Sequence, residues 1–180
     1  MNITLIGMPG SGKSFIGAKL AAQLGFSLVE TDAMLEKNFA MPLQKIVETL
    51  GDHEFLDKEM QMVISGTAGR NDTVISPGGS VIYRQTAMKH LKNISRIFYL
   101  RVPLAVLEER IGGKPRGIVV AENRTFADLY AERLPLYEKF ADEIIAGDAD
   151  TDYIVASIIS SFSLHHDETK EPSDTEHSTV

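Results

Sequence analysis

Three observations in the 180-residue chain predict an α/β fold in three layers, a central five-stranded parallel sheet with helices on both faces. Short aliphatic or β-branched runs recur five times. Each is followed by a stretch of helical character, and a glycine-rich loop joins the first run to the first helix. Strands that alternate with helices require crossover connections, which make neighbouring strands parallel and lay helices over both faces of the sheet.

The elements follow in order. Ile3 to Ile6 reads as a short buried strand. Phe15 to Leu24 reads as a helix, with apolar positions at Ile16, Leu20 and Leu24 and a stop at Gly25. Further strands are expected at Ser27 to Val29, Thr73 to Ser76, Ile94 to Leu100 and Glu143 to Ile145. Helices are expected over 32–37, 42–66 with a break near Gly51, 84–91, 103–110, 125–139 and 151–162; the 125–139 stretch runs into Pro135, followed by a turn. The aliphatic and aromatic residues Met60, Met62, Phe98 and Tyr99 are read as core.

Composition bounds the function. With 43% hydrophobic and 24% charged residues the chain suits one domain with a single core. The absence of cysteine excludes disulfides and thiolate metal sites and is consistent with a reducing cytoplasm. The apolar start is too short for a signal peptide or a membrane span, which needs about 20 residues. Of the net charge of −7, the segment from His165 onward carries Asp167, Glu168, Glu171, Asp174 and Glu176 against Lys170. The remainder is therefore near neutral and offers a nucleic acid no basic stripe. The tail 164–180 is too polar to repay its ordering entropy and is expected to be disordered.

The motif carrying the most chemistry is Gly7-Met8-Pro9-Gly10-Ser11-Gly12-Lys13-Ser14, between the first strand and the first helix. Its glycines let backbone N–H groups turn inward on phosphate oxygens, and the helix N-terminus adds partial positive charge. Lys13 then reaches the outer phosphates, the Ser14 hydroxyl can ligate Mg²⁺, and Phe15 borders the site. At the end of the second strand Glu30 and Asp32 flank Thr31. In an extended segment residues two apart point the same way, so both acids can face the nucleotide cleft. Asp32 as a simple helix N-cap is the alternative, and the two roles are compatible.

Five stretches in order, GMPGSGKSFIGAKLAAQLG, LVETDAMLE, GDHEFLDKE, SPGGSV and ERLPLY, resemble the shikimate kinase family, small P-loop kinases related to the nucleoside-monophosphate kinases. The resemblance implies the P-loop kinase fold with a mobile lid, and ATP with Mg²⁺ as cofactors. It makes Glu30 the metal-side acid, Asp32 the acid that orients the acceptor hydroxyl, Gly78 and Gly79 a wall against the acceptor ring, and Arg133 the grip on its anionic group. Phe55 joins the acceptor side, and Arg110 matches the arginine that stacks on adenine.

This sequence departs from the family pattern at four places. Glu30 replaces an aspartate, Ser80 a third glycine, and Leu56 an arginine that would share the acceptor's carboxylate with Arg133. Losing one arginine–carboxylate bond costs roughly 1.5–3 kcal/mol, about tenfold to a hundredfold in affinity. Glu59 lies on the same helical side as Leu56 and is placed to pair with Arg133. Ile111 to Asn123, IGGKPRGIVVAEN, has the glycine hinges and basic residues of a flap, and Arg116 is its expected catalytic cation, although the family's Arg-Pro order is reversed here. Lys114 and Arg124 read as ordinary solvated charges.

The expected organisation is a kinase domain over 1–163, with its lid at about 111–124, and the tail 164–180. The expected activity is ATP-dependent phosphoryl transfer to a hydroxyl of a small anionic metabolite, shikimate by resemblance. A related kinase for another small acceptor, or a non-catalytic nucleotide switch, remains open. The protein is expected to be a cytoplasmic monomer that binds neither nucleic acid nor membrane.

Overall fold

The computed structural model describes residues 1–112 and 124–168, with side chains to Leu164. The sheet is organised by side-chain alternation along its central strand. In β1 (Asn2–Ile6) every residue is buried. Ile3 and Leu5 join a core cluster on one face, Ile6 a cluster on the other, as period-two geometry requires. β4 (Ser95–Arg101) repeats the split, with Ile97 and Tyr99 on one side and Phe98 and Leu100 on the other.

β1 pairs in parallel with β3 (Thr73–Ser76) and β4, β2 (Ser27–Glu30) pairs with β3, and β5 (Glu143–Ala146) with β4. The order is β2-β3-β1-β4-β5. α1 (Lys13–Leu24) and α7 (Thr151–Glu168) cover one face, while α3 (Leu43–Thr67), α4 (Gln85–Ile94), α5 (Leu104–Ile111) and α6 (Phe126–Phe140) supply the other. α2 (Thr31–Phe39) and the first part of α3 build a smaller core from Leu35, Ile46, Val47 and Phe55. The chain leaves β1 toward one side of the sheet and later crosses to the other, which puts the switch point of this fold, and its ligand crevice, at the carboxyl end of β1. Among the described residues no helix is long and apolar enough to cross a membrane.

The expected elements are present, with four differences of detail. The break in α3 lies at Gly51 itself, whose φ of 72° and ψ of 167° belong to a region open to glycine almost alone. Thr31 already opens α2 and Glu30 is its N-cap, so Asp32 sits inside the first turn and is not the cap. α6 passes through Pro135 to Phe140; the proline forfeits one N–H bond, but Leu129 and Tyr137, with Leu134, Leu136 and Phe140 beside them, keep that helix on the core. α7 extends to Glu168, past the expected start of the tail at 164, because its stripe of Ile154, Val155, Ile158 and Phe162 anchors it to the sheet. Arg116, Lys114, most of the expected lid and the tail from 169 onward lie outside the described residues.

Candidate active site

The loop after β1 and the end of β3 enclose a cleft of about 370 Å³, lined by Pro9, Gly10, Gly12, Lys13, Ser14, Phe15, Glu30, Asp32, Ser76 and Pro77. Gly12, at the N-cap of α1, has a φ of 90°, a left-handed conformation that lets the backbone curl before the helix begins. Lys13 Nζ donates to the carbonyls of Gly7 (2.8 Å) and Met8 (3.2 Å), which holds its ammonium over the loop. Burial pulls that ammonium down to about 8, while the charge of Asp32 works to keep it protonated. Ser11 Oγ, buried inside the loop, has no hydrogen-bond partner among the described residues.

Glu30 and Asp32 both reach this cleft, but for a different reason from the extended spacing expected of them. Glu30 ends β2 and Asp32 lies on the first turn of α2, so the strand-to-helix turn brings them together. Burial raises the Asp32 carboxyl, Lys13 opposes the rise, and Glu36 and Glu30 add to it. Its Oδ1 is buried without a partner. Ser14 and Glu30 put a hydroxyl and a carboxylate on the same cleft, hard oxygen donors of the kind Mg²⁺ prefers.

Deeper in, four charged groups converge. A Cβ on Gly78 would collide with Glu59 Oε1 and stand 2.6 Å from Asp32 Oδ1; one on Gly79 would meet Arg133 Nη1 at 3.2 Å and the Gly7 carbonyl at 3.3 Å. The two glycines of SPGGSV are thus small because carboxylates, a guanidinium and the phosphate loop close on them. Tyr137 Oη fixes the segment by donating to the Gly79 carbonyl at 2.6 Å. Arg133, only 1% exposed, lies with Cζ 5.1 Å from the Tyr83 ring and donates from Nε to Tyr83 Oη at 3.1 Å. Its Nη2 is buried with no hydrogen-bond partner among the described residues, a state that an anionic ligand would relieve. Tyr83 Oη donates onward to Glu132 at 2.6 Å, and Glu132 forms a surface pair with Arg124, which stays exposed.

Glu59 is the main residue that sequence reasoning undervalued. It is fully buried, accepts from Ser80 Oγ at 2.8 Å, and leaves Oε1 unpartnered. It forms no direct ion pair with Arg133, which turns its Nε to Tyr83 instead. The signal was in the pattern: Phe55, Glu59 and Val63 recur every four residues along one face of α3, and all three are buried. A carboxylate in an apolar stripe needs a reason to be there. Ser80 stood out only as a departure from the family glycines, Tyr137 only as part of ERLPLY, and Tyr83 carried no signal.

The other expected residues divide. Arg110 Nη1 lies near the carbonyls of Gly10 (3.5 Å) and Gly147 (3.4 Å), beside the loop. Phe15 is 60% exposed at the cleft rim. Phe55 is packed in the small core under α2, and Leu56 next to it is half-buried. A larger cavity of about 660 Å³ opens at the opposite end of the sheet, where Lys92 pairs with Asp142 and Arg96 with Glu143. Nothing there joins a phosphate cradle to an acceptor, so the smaller cleft is the candidate active site.

Residues 9–163 match the family model described as Shikimate kinase. A shikimate kinase of Thermodesulfovibrio yellowstonii is 37% identical over 141 residues, 77% of this chain and 81% of that protein. One from Nitratidesulfovibrio vulgaris is 31% identical over 87% of this chain and 92% of its own. Among solved structures, the shikimate kinase from Acinetobacter baumannii in complex with shikimate superposes with a TM-score of 0.79 at 26% identity, covering 92% of this chain and 93% of that one.

Proposed function

The chain belongs to the shikimate kinase family, a P-loop kinase family that uses ATP to phosphorylate a hydroxyl group, and from that membership we propose that its acceptor is shikimate and that the residues around Gly78 and Gly79 receive it. The observation that carries the reading is the meeting of Asp32 and Arg133 at Gly78 and Gly79, with Lys13 acting on both charges and Arg133 Nη2 left unpartnered. A phosphate grip, an acid for a hydroxyl and a cation for a carboxylate are what this transfer needs.

In the proposed mechanism the inward N–H groups of Gly10 to Ser14 and the Lys13 ammonium hold the triphosphate, and Arg110 lies against its base. Ser14 and Glu30 would hold Mg²⁺, which supplies charge neutralisation on the phosphate oxygens when bound. Arg133 anchors the acceptor's carboxylate, with Gly78 and Gly79 as the wall and Phe55 packing behind it. Asp32 orients the acceptor hydroxyl and accepts its proton as the new oxygen–phosphorus bond forms and the bond to the leaving ADP breaks. A carboxyl raised by burial is a better base than a free one, and general-base groups of this kind contribute about 10²- to 10⁴-fold. Arg116 would complete the charge stabilisation from the lid. A monomer working in the cytoplasm completes the reading.

ADP release measured with shikimate, and with a panel of hydroxy acids, sugar acids and nucleoside monophosphates, tests the acceptor. Shikimate-dependent turnover is expected; turnover with another acceptor and none with shikimate overturns the assignment. Asp32→Asn is expected to lower kcat at least about a hundredfold with the melting temperature held. Leu56→Arg is expected to tighten shikimate binding about tenfold or more by restoring a second carboxylate contact, and unchanged binding would remove that position from the acceptor site.

A further inference from the structure

We propose that Glu59 carries a proton while the acceptor site is empty, and that this proton leaves Arg133 free to hold the acceptor's anionic group, so that acceptor affinity follows pH through Glu59. The proposal rests on the reading of the site as one for an anionic acceptor. It starts from geometry. Glu59 is fully buried, and its Oε1 and Asp32 Oδ1, both buried and unpartnered, crowd the one small volume that Gly78 leaves vacant. Those two oxygens lie within about 5 Å of each other, a separation at which two negative charges away from water repel strongly.

The groups facing Glu59 are Asp32 from α2, Lys13 from α1, Arg133 from α6 and the hydroxyl of Ser80. Burial first, and then Asp32, push the Glu59 carboxyl up to about 8; the Ser80 hydrogen bond, Arg133 and Lys13 pull the other way without restoring it. Lys13 is the leading counter-charge to Asp32 and the last of those that oppose the rise of Glu59, so the proton is assigned to Glu59.

The consequence is a charge count. With Asp32 ionised and Glu59 neutral, Lys13 and Arg133 leave the cluster one positive charge in excess, which an incoming carboxylate neutralises. With Glu59 ionised the cluster is already neutral, and a buried negative charge faces the ligand. Above the titration of Glu59, binding must therefore take one proton from solvent. Glu59 acts through Arg133 and the wall, as a positioning residue that does not touch the transferred group.

The experiment is the KM and kcat for shikimate at saturating ATP, from about pH 6.5 to about pH 9.5, in the wild type and in Glu59→Gln. One-proton linkage predicts that the wild-type KM rises toward tenfold per pH unit above about pH 8, whereas Glu59→Gln shows no such slope. Burial draws Lys13 down as well, but at saturating ATP the phosphates beside it hold the ammonium charged, so it contributes the same charge in wild type and variant. A wild-type KM flat with pH, or a variant that keeps the wild-type slope, overturns the proposal. Infrared difference spectroscopy of the acceptor-free protein at pH 7 supplies a second reading independent of the acceptor. A protonated-carboxyl band lost in Glu59→Gln is expected, and its absence from the wild type overturns the proposal. A band present without turnover of shikimate would leave the proton in place and refute only the choice of acceptor.

Discussion

Gly78 shows how the site is specified at the scale of one residue. Its requirement is space, since any side chain would press on the carboxylates of Glu59 and Asp32. Gly78→Ala is therefore expected to displace both acids and to lower kcat/KM for the acceptor at least about tenfold, about 1.4 kcal/mol at the transition state. Steady-state kinetics check this, with circular dichroism to confirm that the fold survives. Sequence reasoning identified Lys13, Glu30, Asp32, Gly78, Gly79 and Arg133 from motif and resemblance, and the fold brings all six to one end of the sheet. It read Glu59 as a partner for Arg133, because helical spacing reports which side a residue shares but not which neighbour it touches.

At the scale of elements, most boundaries were legible because burial follows period. The five strands and their helices appear where aliphatic runs and helical spacing placed them. The misreadings share one cause, local signals overruled by packing. Pro135 by itself favours a stop, yet the apolar contacts on either side carry α6 through it, over nearly the expected span of 125–139. The box in which Thr125 and Asp128 cap each other's backbone N–H fixes where α6 begins and so where Arg133 falls, a signature readable from T-F-A-D. Gly51 is a case in which the local rule decides. No neighbour lies within 4 Å of a Cβ placed there, so the cost of Gly51→Ala is backbone strain alone, about 1–3 kcal/mol. Thermal unfolding should show a lowered melting temperature of about 2–4 °C for each kcal/mol.

For the whole molecule, four charged groups around one point, Glu59 and Arg133 fully buried and Lys13 and Asp32 half-buried, make stability depend on pH. The Glu59 carboxyl rises from an ordinary 4.5 to about 8 on folding, so between those values the folded chain holds a proton that the unfolded chain has released. Stability then falls as pH climbs through that window, and the full cost is present above about pH 8. Glu59→Gln removes the titration. Its melting temperature relative to wild type is expected to increase from pH 5 to pH 8 by more than the roughly 2–4 °C that 1 kcal/mol produces in a chain of this size. A constant difference across that range would mean that Glu59 stays ionised in the folded protein.

The layering and the chemistry of the first loop could be read from residue order alone, because both rest on short-range rules. Alternation of two selects the buried faces of β1 and β4, and Gly10, Gly12, Lys13 and Ser14 need only each other to form a phosphate cradle. The company these residues keep comes from folding. Lys13, Asp32, Glu59, Ser80 and Arg133 come from α1, α2, α3, the turn after β3, and α6, and they meet because parallel crossovers return each of those segments to the same end of the sheet. Whether a buried carboxyl holds a charge or a proton depends on the neighbours within a few ångströms, and those are set by the fold rather than by the order of residues along the chain.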